Sequence, residues 1–442
     1  MYSTDKDSIS TVALRKSWGG SVTSVFADPR TGANFFPYLT LLGAVFLAIG
    51  QHLVATWAIA SDDPPERVLN TSVGLFLAIL SGYYVLKRIS EFPSIQAVGA
   101  MLVIFSASFL IVVCGLLLAG IEHRPLSLFT GYIVTVIWFA AAFRLRARRR
   151  IPRFALAPVG EAACVRTLTG ARWKLIDPSA PPEACDGVVI DLTADLDPEW
   201  RAYLTACALA GIPIYHFRTV TEALTGRLEI DSLSESALAA VRTKRGYRVF
   251  KGVVDRTAAF VAIIALGPFL LLVAALIRLD SEGAALFRQT RRTKDGRPFT
   301  MYKFRTMRAG AAEPASLQDA MTRDRDPRIT RLGAFLRRIR IDELPQILNI
   351  IRGEMSWIGP RPEAAPLAEW YERQLPFYGH RYLVQPGITG WAQVNQGHVT
   401  EPDAVRSKLH YDFYYIKNFS IWLDILIVLK TIRTILTGFG AR

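Results

Sequence analysis

Four long apolar runs occupy the first third of the chain, at residues 35–60, 68–86, 99–121 and 126–143. Each is long enough, or nearly so, to cross the roughly 30 Å of bilayer hydrocarbon as an α-helix. Among Asp, Glu, Lys, Arg and His, only His52 lies within a run, and we assign it a hydrogen-bonded packing role. The sequence therefore predicts a four-helix transmembrane domain over residues 35–150.

The charges between these runs set the orientation of the predicted bundle. Asp62, Asp63 and Glu66 lie in the first connection, whereas Lys87 and Arg88 lie in the second. Arginines follow the fourth run at positions 144, 146, 148, 149, 150 and 153. By the positive-inside rule both ends of the bundle are cytoplasmic, so we expect residues 1–34 to be a cytoplasmic segment, without a cleaved signal.

A different pattern follows between residues 154 and 235. Three short apolar stretches, FALAPV, GVVIDL and IPIYHF, are typical of buried strands. The last two flank a helix signal, with Asp197 as N-cap, Pro198 at the first helical position and Gly211 just past the end. This alternation predicts a small parallel α/β domain. Because no G-x-G-x-x-G follows the first strand, we expect a structural or regulatory role rather than nucleotide binding.

The overall composition limits the partners of the chain. Half of the 442 residues are apolar, yet the net charge is +14. That combination suits a membrane protein that faces anionic lipid or phosphate ligands. We expect no nucleic acid partner, because a nucleic-acid-binding protein could share the charge but would not need the long apolar runs. The four cysteines have no C-x-x-C spacing and the histidines form no cluster, so no zinc site is predicted.

Residues 337–362, RRIRIDELPQILNIIRGEMSWIGPRP, carry the strongest chemical signal. Pro345 fits only the first turn of a helix, which places Asp342 and Glu343 at a helix N-terminus. That end accepts carboxylates or phosphates. An Asp-Glu pair is also a common helix cap. The surrounding arginines favour phosphoryl chemistry instead, with Asp342 as a candidate nucleophile.

An uncharged run at residues 257–277 is long enough for a fifth membrane span. However, Gly267 and Pro268 lie at its midpoint, where proline removes a backbone hydrogen bond and bends a helix. Both flanks are basic, so neither crossing direction is favoured. The residues alone leave two alternatives open: a spanning helix, or a helix that enters the bilayer, bends and returns.

A hairpin signal follows at residues 286–307. Asp295 and Gly296 separate two stretches of alternating apolar and polar residues. We expect the hairpin to set Arg288 and Arg291 across from Lys303 and Arg305. The polar, alanine-rich stretch at 307–324 is then predicted to be a mobile loop near the active site.

Three blocks together resemble one known family. RIDELPQILNIIRGEMSWIGPRPE, KFRTM (residues 303–307) and PGITGWAQVN (386–395) are similar to the polyprenyl-phosphate hexose-1-phosphate transferases, the monotopic phosphoglycosyl transferases or bacterial sugar transferases. The blocks occur in the family's order across the C-terminal part of the chain. The N-terminal half resembles, more loosely, the large members of that family that carry a membrane domain.

The resemblance implies roles for particular residues. Asp342 would be the nucleophile and Glu343 the main ligand of Mg²⁺, with Asp342 beside the metal. Lys303 and Arg305 carry over as phosphate contacts, as do Arg337 and Arg361, while Asp412, in a D-x-x-Y element, would support the metal site. Thr293 is a departure, because the family often has glycine there.

The resemblance also implies an architecture. It favours a re-entrant helix at about 249–279 within a mainly α catalytic domain over residues 245–442, preceded by a Rossmann-like α/β domain and the transmembrane bundle. It places the protein in the bacterial inner membrane, with the catalytic domain on the cytoplasmic face, and implies a homodimer.

The implied reaction moves a hexose-1-phosphate from a UDP-sugar to polyprenyl phosphate through an aspartyl-phosphosugar intermediate and releases UMP. It would begin exopolysaccharide, capsule or O-antigen synthesis. Two alternatives stay open: direct attack by the lipid phosphate, and a non-catalytic scaffold or regulator of polysaccharide assembly. Nothing in the sequence selects the sugar.

Two C-terminal segments carry further expectations. The glycine-rich stretch at 386–391 would allow close backbone approach either to a ligand or to another chain segment. The last apolar stretch, 419–436, is interrupted by Asp424, Lys430 and Arg433. We predict an interfacial helix whose basic residues reach the lipid headgroups.

Overall fold

The structure is a computed structural model that describes residues 43, 50, 64–93, 97–147, 151–229, 245–308, 328–375, 377–396 and 402–437. The predictions for residues 1–34, for the first transmembrane run apart from Gly43 and Gly50, for His52 and for most of the loop at 307–324 lie outside the described residues. The chain divides into two compact units, Met1–Gly226 and Arg227–Arg442.

Three of the predicted membrane helices lie in the first unit. They are α1 (Pro65–Ile89), α2 (Ala97–Leu118) and α3 (Pro125–Ala147), and each is long and apolar enough to cross a bilayer. The rings of Phe105 and Phe139 pack with centroids 4.7 Å apart. A Cβ at Gly82 in α1 would lie 2.6 Å from the Phe105 ring in α2, so glycine there allows α1 and α2 to approach closely. The outer faces of the three helices expose leucine, isoleucine and phenylalanine.

The α/β domain holds a parallel sheet with the order β2-β1-β3-β4. Its strands are β1 (Arg153–Leu156), β2 (Arg172–Leu175), β3 (Gly187–Ile190) and β4 (Ile214–His216). The three predicted strands are confirmed. Strand β2 was not predicted, because it is a largely exposed edge strand whose RWKL sequence has no apolar run. Its neighbour β3 is fully buried and shows the expected continuous apolar run.

Helices cover this sheet. Helix α4 (Pro198–Leu209) is confirmed, with Asp197 before it and Gly211 at φ +71° after it. Helix α5 (Phe217–Thr225) begins directly after β4, and a 3₁₀ helix, Gly160–Thr167, follows β1. Where β1 and β3 end, the carboxylate of Asp191 accepts hydrogen bonds from the backbone N–H of Glu161 (3.1 Å) and of Thr193 (2.9 Å). The carboxylate of Asp191 thus occupies the Glu161 backbone N–H, a donor that a bound phosphate would need at this end of the strands.

The second unit begins with α6 (Arg245–Asp280), a helix of 36 residues that runs through Gly267 and Pro268. One side of its first half packs on the hairpin around Phe299, and one side of its second half packs around Phe304. The other side exposes a long apolar surface that includes Phe260 and Leu271. The helix is continuous through the glycine-proline pair, and the bend expected there stays a prediction.

The predicted hairpin is confirmed, but its register differs from our expectation. Strands β5 (Leu286–Arg292) and β6 (Pro298–Phe304) pair antiparallel around a turn in which Asp295 and Gly296 have positive φ. Lys303 lies opposite Phe287, while Arg288 lies opposite Tyr302. The expectation that Arg288 and Arg291 lie across from Lys303 and Arg305 was wrong, because the turn fixes a register that alternation alone does not specify.

Short elements complete the second unit. They are α7 (Arg331–Arg338), a 3₁₀ helix at Ile341–Gln346, α8 (Ile347–Ile351), β7 (Ser356–Ile358), α9 (Ala365–Gln374), a 3₁₀ helix at Tyr378–Leu383, β8 (Gly387–Thr389), α10 (Trp391–Gln396), α11 (Pro402–Lys417) and α12 (Ile421–Thr437). Strands β7 and β8 pair in parallel. A Cβ at Gly387 would overlap the backbone of Gly359, so glycine at this position allows two chain segments to meet. Of the two alternatives for residues 386–391, the structure shows close approach to another chain segment.

The last helix differs from the prediction at one basic residue. Lys430 donates to Oδ1 of Asn395 (2.6 Å) and lies over the Trp391 ring, 4.5 Å from its centroid. Burial lowers the pKa of Lys430 to about 7. The expectation that Lys430 reaches lipid headgroups was therefore wrong, because its ammonium packs against the protein. Asp424 is buried too, and accepts from the hydroxyl of Tyr247 at 2.6 Å.

Candidate active site

The carboxylate pair lies in the first turn of the 3₁₀ helix Ile341–Gln346, so the predicted position at a helix start is confirmed. The residue before this helix, Arg340, has φ +62°, in the left-handed region that non-glycine residues rarely adopt. This sharp corner separates α7 from the carboxylates and lets the two neighbouring acids enter one buried space. Asp342 is 9% exposed and Glu343 is 6% exposed.

Glu343 is held by a cluster of cations. Arg361 donates to both of its carboxylate oxygens, with Nη2 2.6 Å from Oε1 and Nη1 3.1 Å from Oε2. Arg340 adds a hydrogen bond of 3.3 Å, and the Lys303 ammonium lies 3.9 Å from Oε1. Burial opposes the charged form of Glu343, but Arg361 and Lys303 outweigh it and hold its pKa well below the usual range. The cations therefore hold Glu343 in its carboxylate form.

Asp342 has the opposite environment, although it is the adjacent residue. Its Oδ1 is buried and has no hydrogen-bond partner among the described residues. Burial, and then the negative charge of Glu343, raise the pKa of Asp342. Lys303, Arg361 and Arg337 are close enough to oppose this rise. The arrangement leaves one carboxylate oxygen available for a ligand, in a field of positive charge.

Lys303 reaches this pair from strand β6. Asn349, fully buried in α8, fixes that strand: its Oδ1 accepts from the Tyr302 N–H at 3.1 Å, and its Nδ2 donates to the Thr300 carbonyl at 2.7 Å. Burial and the nearby Arg361 lower the pKa of Lys303 to about 8. The Asn349 side chain thus ties the strand backbone just before Lys303 to α8, the helix that directly follows the carboxylate turn.

The structure places the two other predicted phosphate contacts differently. Arg337 is near the pair, and its Nε donates to the Thr306 hydroxyl at 2.8 Å. Arg305 is bonded instead to the end of α6, where it donates to the carbonyls of Ser281 (2.6 Å) and Glu282 (2.7 Å). Of the predicted cations, Lys303, Arg337 and Arg361 are therefore brought to the carboxylates, while Arg305 closes a helix end.

Asp412 lies behind Arg361. Its Oδ2 accepts from Nε of Arg381 at 2.9 Å, and Nη2 of the same guanidinium donates to the Arg361 carbonyl at 2.7 Å. Asp412 is 1% exposed and so is deeply buried. The structure connects it to the carboxylate pair through two arginines rather than placing it beside them.

Sequence reasoning missed several contacts around the site, and it named Arg291 only as one of the hairpin cations. Arg291 and Arg381 bind the turn that carries Arg361, and Glu363 pairs with Lys408 in the same region. Gln346 shares a face of the 3₁₀ helix with Glu343, and its buried Nε2 lacks a hydrogen-bond partner within the described part of the chain. No local pattern distinguishes these side chains from surface residues, except that Gln346 lies within a helical turn of the two acids.

The donor set fits Mg²⁺ only in part. Across the described residues no group of three or more histidine, cysteine, aspartate or glutamate side chains converges. Mg²⁺ commonly takes one or two carboxylates and completes its shell with phosphate oxygens and water. The unpartnered Oδ1 of Asp342 and the neighbouring Glu343 match that pattern, provided that a phosphate ligand supplies the other oxygens.

Comparison with known families gives one match. The family described as bacterial sugar transferase matches residues 246–438, which contain the hairpin, both carboxylates and every cation discussed above.

Similar proteins cover different lengths of the chain. The UDP-N-acetylgalactosamine-undecaprenyl-phosphate N-acetylgalactosaminephosphotransferase of Aeromonas hydrophila is 40% identical over 409 residues, which are 92% of this chain and 96% of that protein. The UDP-glucose:undecaprenyl-phosphate glucose-1-phosphate transferase of Xanthomonas campestris pv. campestris is 43% identical over 42% of this chain and 39% of its own length. The galactosyl transferase CpsE of Streptococcus agalactiae is 36% identical over 45% of each. The similarity to the first therefore includes the N-terminal half.

Proposed function

Because the chain belongs to the bacterial sugar transferase family and is an undecaprenyl-phosphate sugar phosphotransferase, we propose that it works through a covalent intermediate on Asp342. An oxygen of the Asp342 carboxylate attacks the sugar-linked phosphorus of a UDP-sugar. The bond from that phosphorus to the bridging oxygen breaks, and UMP leaves with the electron pair. An oxygen of undecaprenyl phosphate then attacks the same phosphorus and releases the carboxylate, which gives the lipid diphosphate sugar.

The contrast between the two acids carries this proposal. Both oxygens of Glu343 are occupied by Arg361, whereas Oδ1 of Asp342 is buried without a partner in the described residues. A buried, unpartnered acceptor is costly to keep, and such groups commonly mark a site where a ligand completes the set of bonds. Burial also weakens the solvation of the carboxylate, which makes it more reactive once it is ionised.

The cations around the pair supply the electrostatic part of the mechanism. Lys303, Arg337 and Arg361 already lower the cost of charge at Asp342. Arg361 carries a planar fork that suits two phosphate oxygens, and Lys303 adds a point charge. Preorganised positive groups of this kind stabilise charge as it develops on the transferred phosphoryl group.

We also infer a role for Mg²⁺, as the family resemblance implies. Glu343 and Asp342 are the residues that would hold it, and the ion would neutralise the diphosphate of the nucleotide sugar. In the described structure Arg361 and Lys303 bind Glu343 instead, so substrate phosphates would have to draw some of these cations away from it.

We propose that α6 is a re-entrant helix and that the catalytic unit faces the cytoplasm of the inner membrane. With 36 residues the helix is about 54 Å long, well beyond the thickness of the hydrocarbon. Its first third and the residue that directly follows it bind the same folded unit: Asp255 accepts from the Ser356 hydroxyl at 2.6 Å, and Arg305 donates to the Ser281 carbonyl at 2.6 Å. The exposed apolar side between these attachments would enter one leaflet, and the basic flanks would meet anionic lipid. The homodimer stays a prediction.

For the sugar, we propose an N-acetylhexosamine, with UDP-N-acetylgalactosamine as the first substrate to test. The A. hydrophila protein, which is named for transfer of N-acetylgalactosamine phosphate, matches nearly the full length of both chains, whereas the X. campestris glucose-1-phosphate transferase matches less than half of this chain. The product would begin the synthesis of a lipid-linked polysaccharide. Release of UMP from a panel of UDP-sugars with undecaprenyl phosphate ranks the candidates directly.

The decisive experiment is to trap the intermediate. Protein incubated with UDP-sugar and no lipid acceptor should gain the mass of a sugar phosphate on the peptide that contains Asp342. An Asp342→Asn variant should gain none. Full turnover with no adduct at any time point would favour the rival mechanism, in which the lipid phosphate attacks the UDP-sugar directly.

A further inference from the structure

The turn that carries Arg361 is held from behind by two other arginines. We call residues 360–363, Pro360, Arg361, Pro362 and Glu363, the PRPE turn. Nη2 of Arg381 donates to the Arg361 carbonyl at 2.7 Å, and Nη1 of Arg291 donates to the Pro362 carbonyl at 2.5 Å. The Pro360 carbonyl accepts from the Gly387 N–H at 3.0 Å. Three successive carbonyls are thus fixed by three different parts of the chain.

The sequence of the turn explains why outside donors are needed. Pro360 and Pro362 have no backbone N–H, so the turn cannot bind its own carbonyls in the usual way. Charged guanidinium groups are expensive to bury, and each is compensated locally. Asp412 accepts from Nε of Arg381 at 2.9 Å, and Oε1 of Gln289 accepts from Nε (3.1 Å) and Nη2 (2.6 Å) of Arg291.

The guanidinium of Arg361 faces the catalytic pair, on the opposite side from its backbone carbonyl. The Arg361 side chain binds both oxygens of Glu343, while its backbone carbonyl binds Arg381. A shift of the PRPE turn would therefore move the guanidinium that neutralises Glu343. An error of about 1 Å in a positioning group can cost on the order of 100-fold in rate.

We propose that Arg381 and Arg291 are positioning residues that hold Arg361 in register with Glu343, and that Asp412 acts through Arg381. The inference rests on the role proposed above for Arg361. It assigns Asp412 to the support of an arginine rather than to a metal. Arginine is required at position 381 because one planar group serves Asp412, the Tyr378 hydroxyl and the Arg361 carbonyl together.

A double-mutant cycle in the full-length protein tests the proposal. Arg381→Lys keeps the charge but loses the three-way fork, and Arg361→Lys keeps a weaker contact to Glu343. In the wild-type background we expect Arg381→Lys to lower kcat/KM for the UDP-sugar about tenfold. In the Arg361→Lys background the same change should cost less than about threefold, because the group being positioned has already been altered.

Equal losses in the two backgrounds would overturn the proposal, since a general structural role is independent of Arg361. Should Arg381→Lys fold poorly in thermal scans, Asp412→Asn takes its place in the cycle, with the same non-additive result expected. If Arg361→Lys alone leaves turnover unchanged, the proposed role of Arg361 has failed, and the cycle shows this separately. Arg292→Gln is the matched control, because it removes a partly exposed ion pair with Glu369 from the same strand as Arg291.

Discussion

Two buried aspartates, one in each unit, show what separates a structural acid from a reactive one. Asp191 follows strand β3 of the α/β domain, and Asp342 begins the 3₁₀ helix of the catalytic unit. They are similarly buried, with 4% and 9% of their surface exposed. Each is close to cationic or titratable neighbours: His216 and Asp191 approach to 3.5 Å, and Lys303, Arg361 and Arg337 act on Asp342.

Their hydrogen bonds differ completely. Asp191 accepts from the Thr193 hydroxyl at 2.6 Å and from two backbone N–H groups, and these bonds lower its pKa to about 2. Asp342 keeps an oxygen without a partner in the described residues, and burial raises its pKa. Burial alone is therefore a poor indicator of function. The useful signal is an acceptor whose hydrogen bonds remain incomplete while cations gather around it.

The largest effect on turnover should come from replacing Asp342, the aspartate whose hydrogen bonds are incomplete. Asp342→Asn should lower UMP release on the order of 10⁴-fold or more, because the amide is not a nucleophile. Ionised Asp342 destabilises the fold, since its folded pKa lies above the unfolded value, and this cost appears as the pH rises through the folded pKa. The melting temperature of the variant at pH 7 should therefore equal or exceed that of the wild type. Retained turnover would contradict the covalent mechanism.

A smaller loss is expected when the cation cluster is reduced. Arg361→Gln should lower kcat/KM by about 10²- to 10³-fold, in line with loss of one preorganised charge donor. The matched control is Arg340→Gln, because Arg340 also binds Glu343 (3.3 Å) but its side chain is 44% exposed. We expect the control to lose less than about tenfold, since an exposed ion pair contributes little. Equal losses would mean that any charge near Glu343 suffices.

The local elements of this molecule were predictable from the sequence, whereas the residues that support Arg361 from the far side of its turn were not. Helix α4 was identified by Asp197, Pro198 and Gly211, which act within their own turn. Asp342 and Glu343 were identified because Pro345 fixes a helix start. These signals depend on neighbours a few residues away, so the sequence displays them directly.

The missed features depend on distant residues. Arg381 contacts Arg361, twenty positions earlier, and Arg291 contacts Pro362, seventy-one positions later. Nothing near either arginine differs from a surface position. The hairpin register failed for a related reason: the alternation that predicts two strands does not specify which residues pair. Lys430 was misplaced because a lysine on an apolar helix can also fold inward against an aromatic ring.

The pH dependence of turnover should report the charge of Lys303. Burial lowers the pKa of Lys303 to about 8, so its charge is lost as the pH rises through that value. Above about pH 8, kcat/KM for the UDP-sugar should fall by roughly tenfold per pH unit, since kcat/KM reports the free enzyme. In Lys303→Arg this alkaline decline should disappear from the accessible range, because a guanidinium keeps its proton. A decline that persists in the variant would assign the titration to another group.

The smallest effect on turnover is expected from replacing Asp191, the aspartate whose hydrogen bonds are complete. Asp191→Asn should leave UMP release per folded molecule unchanged and lower the local stability of the α/β domain by about 1–3 kcal/mol, because the amide cannot accept all the bonds that Asp191 accepts. The folded pKa of about 2 lies below the ordinary value of 3.8, so the charge of Asp191 stabilises the domain above about pH 4, and this contribution is lost as the pH falls toward 2. Hydrogen exchange of the β1 and β3 peptides should therefore distinguish the variant from the wild type most at pH 7 and less at pH 3, where folded Asp191 is still largely ionised and part of its contribution remains. A loss of turnover instead would mean that Asp191, despite its completed bonds, serves the reaction.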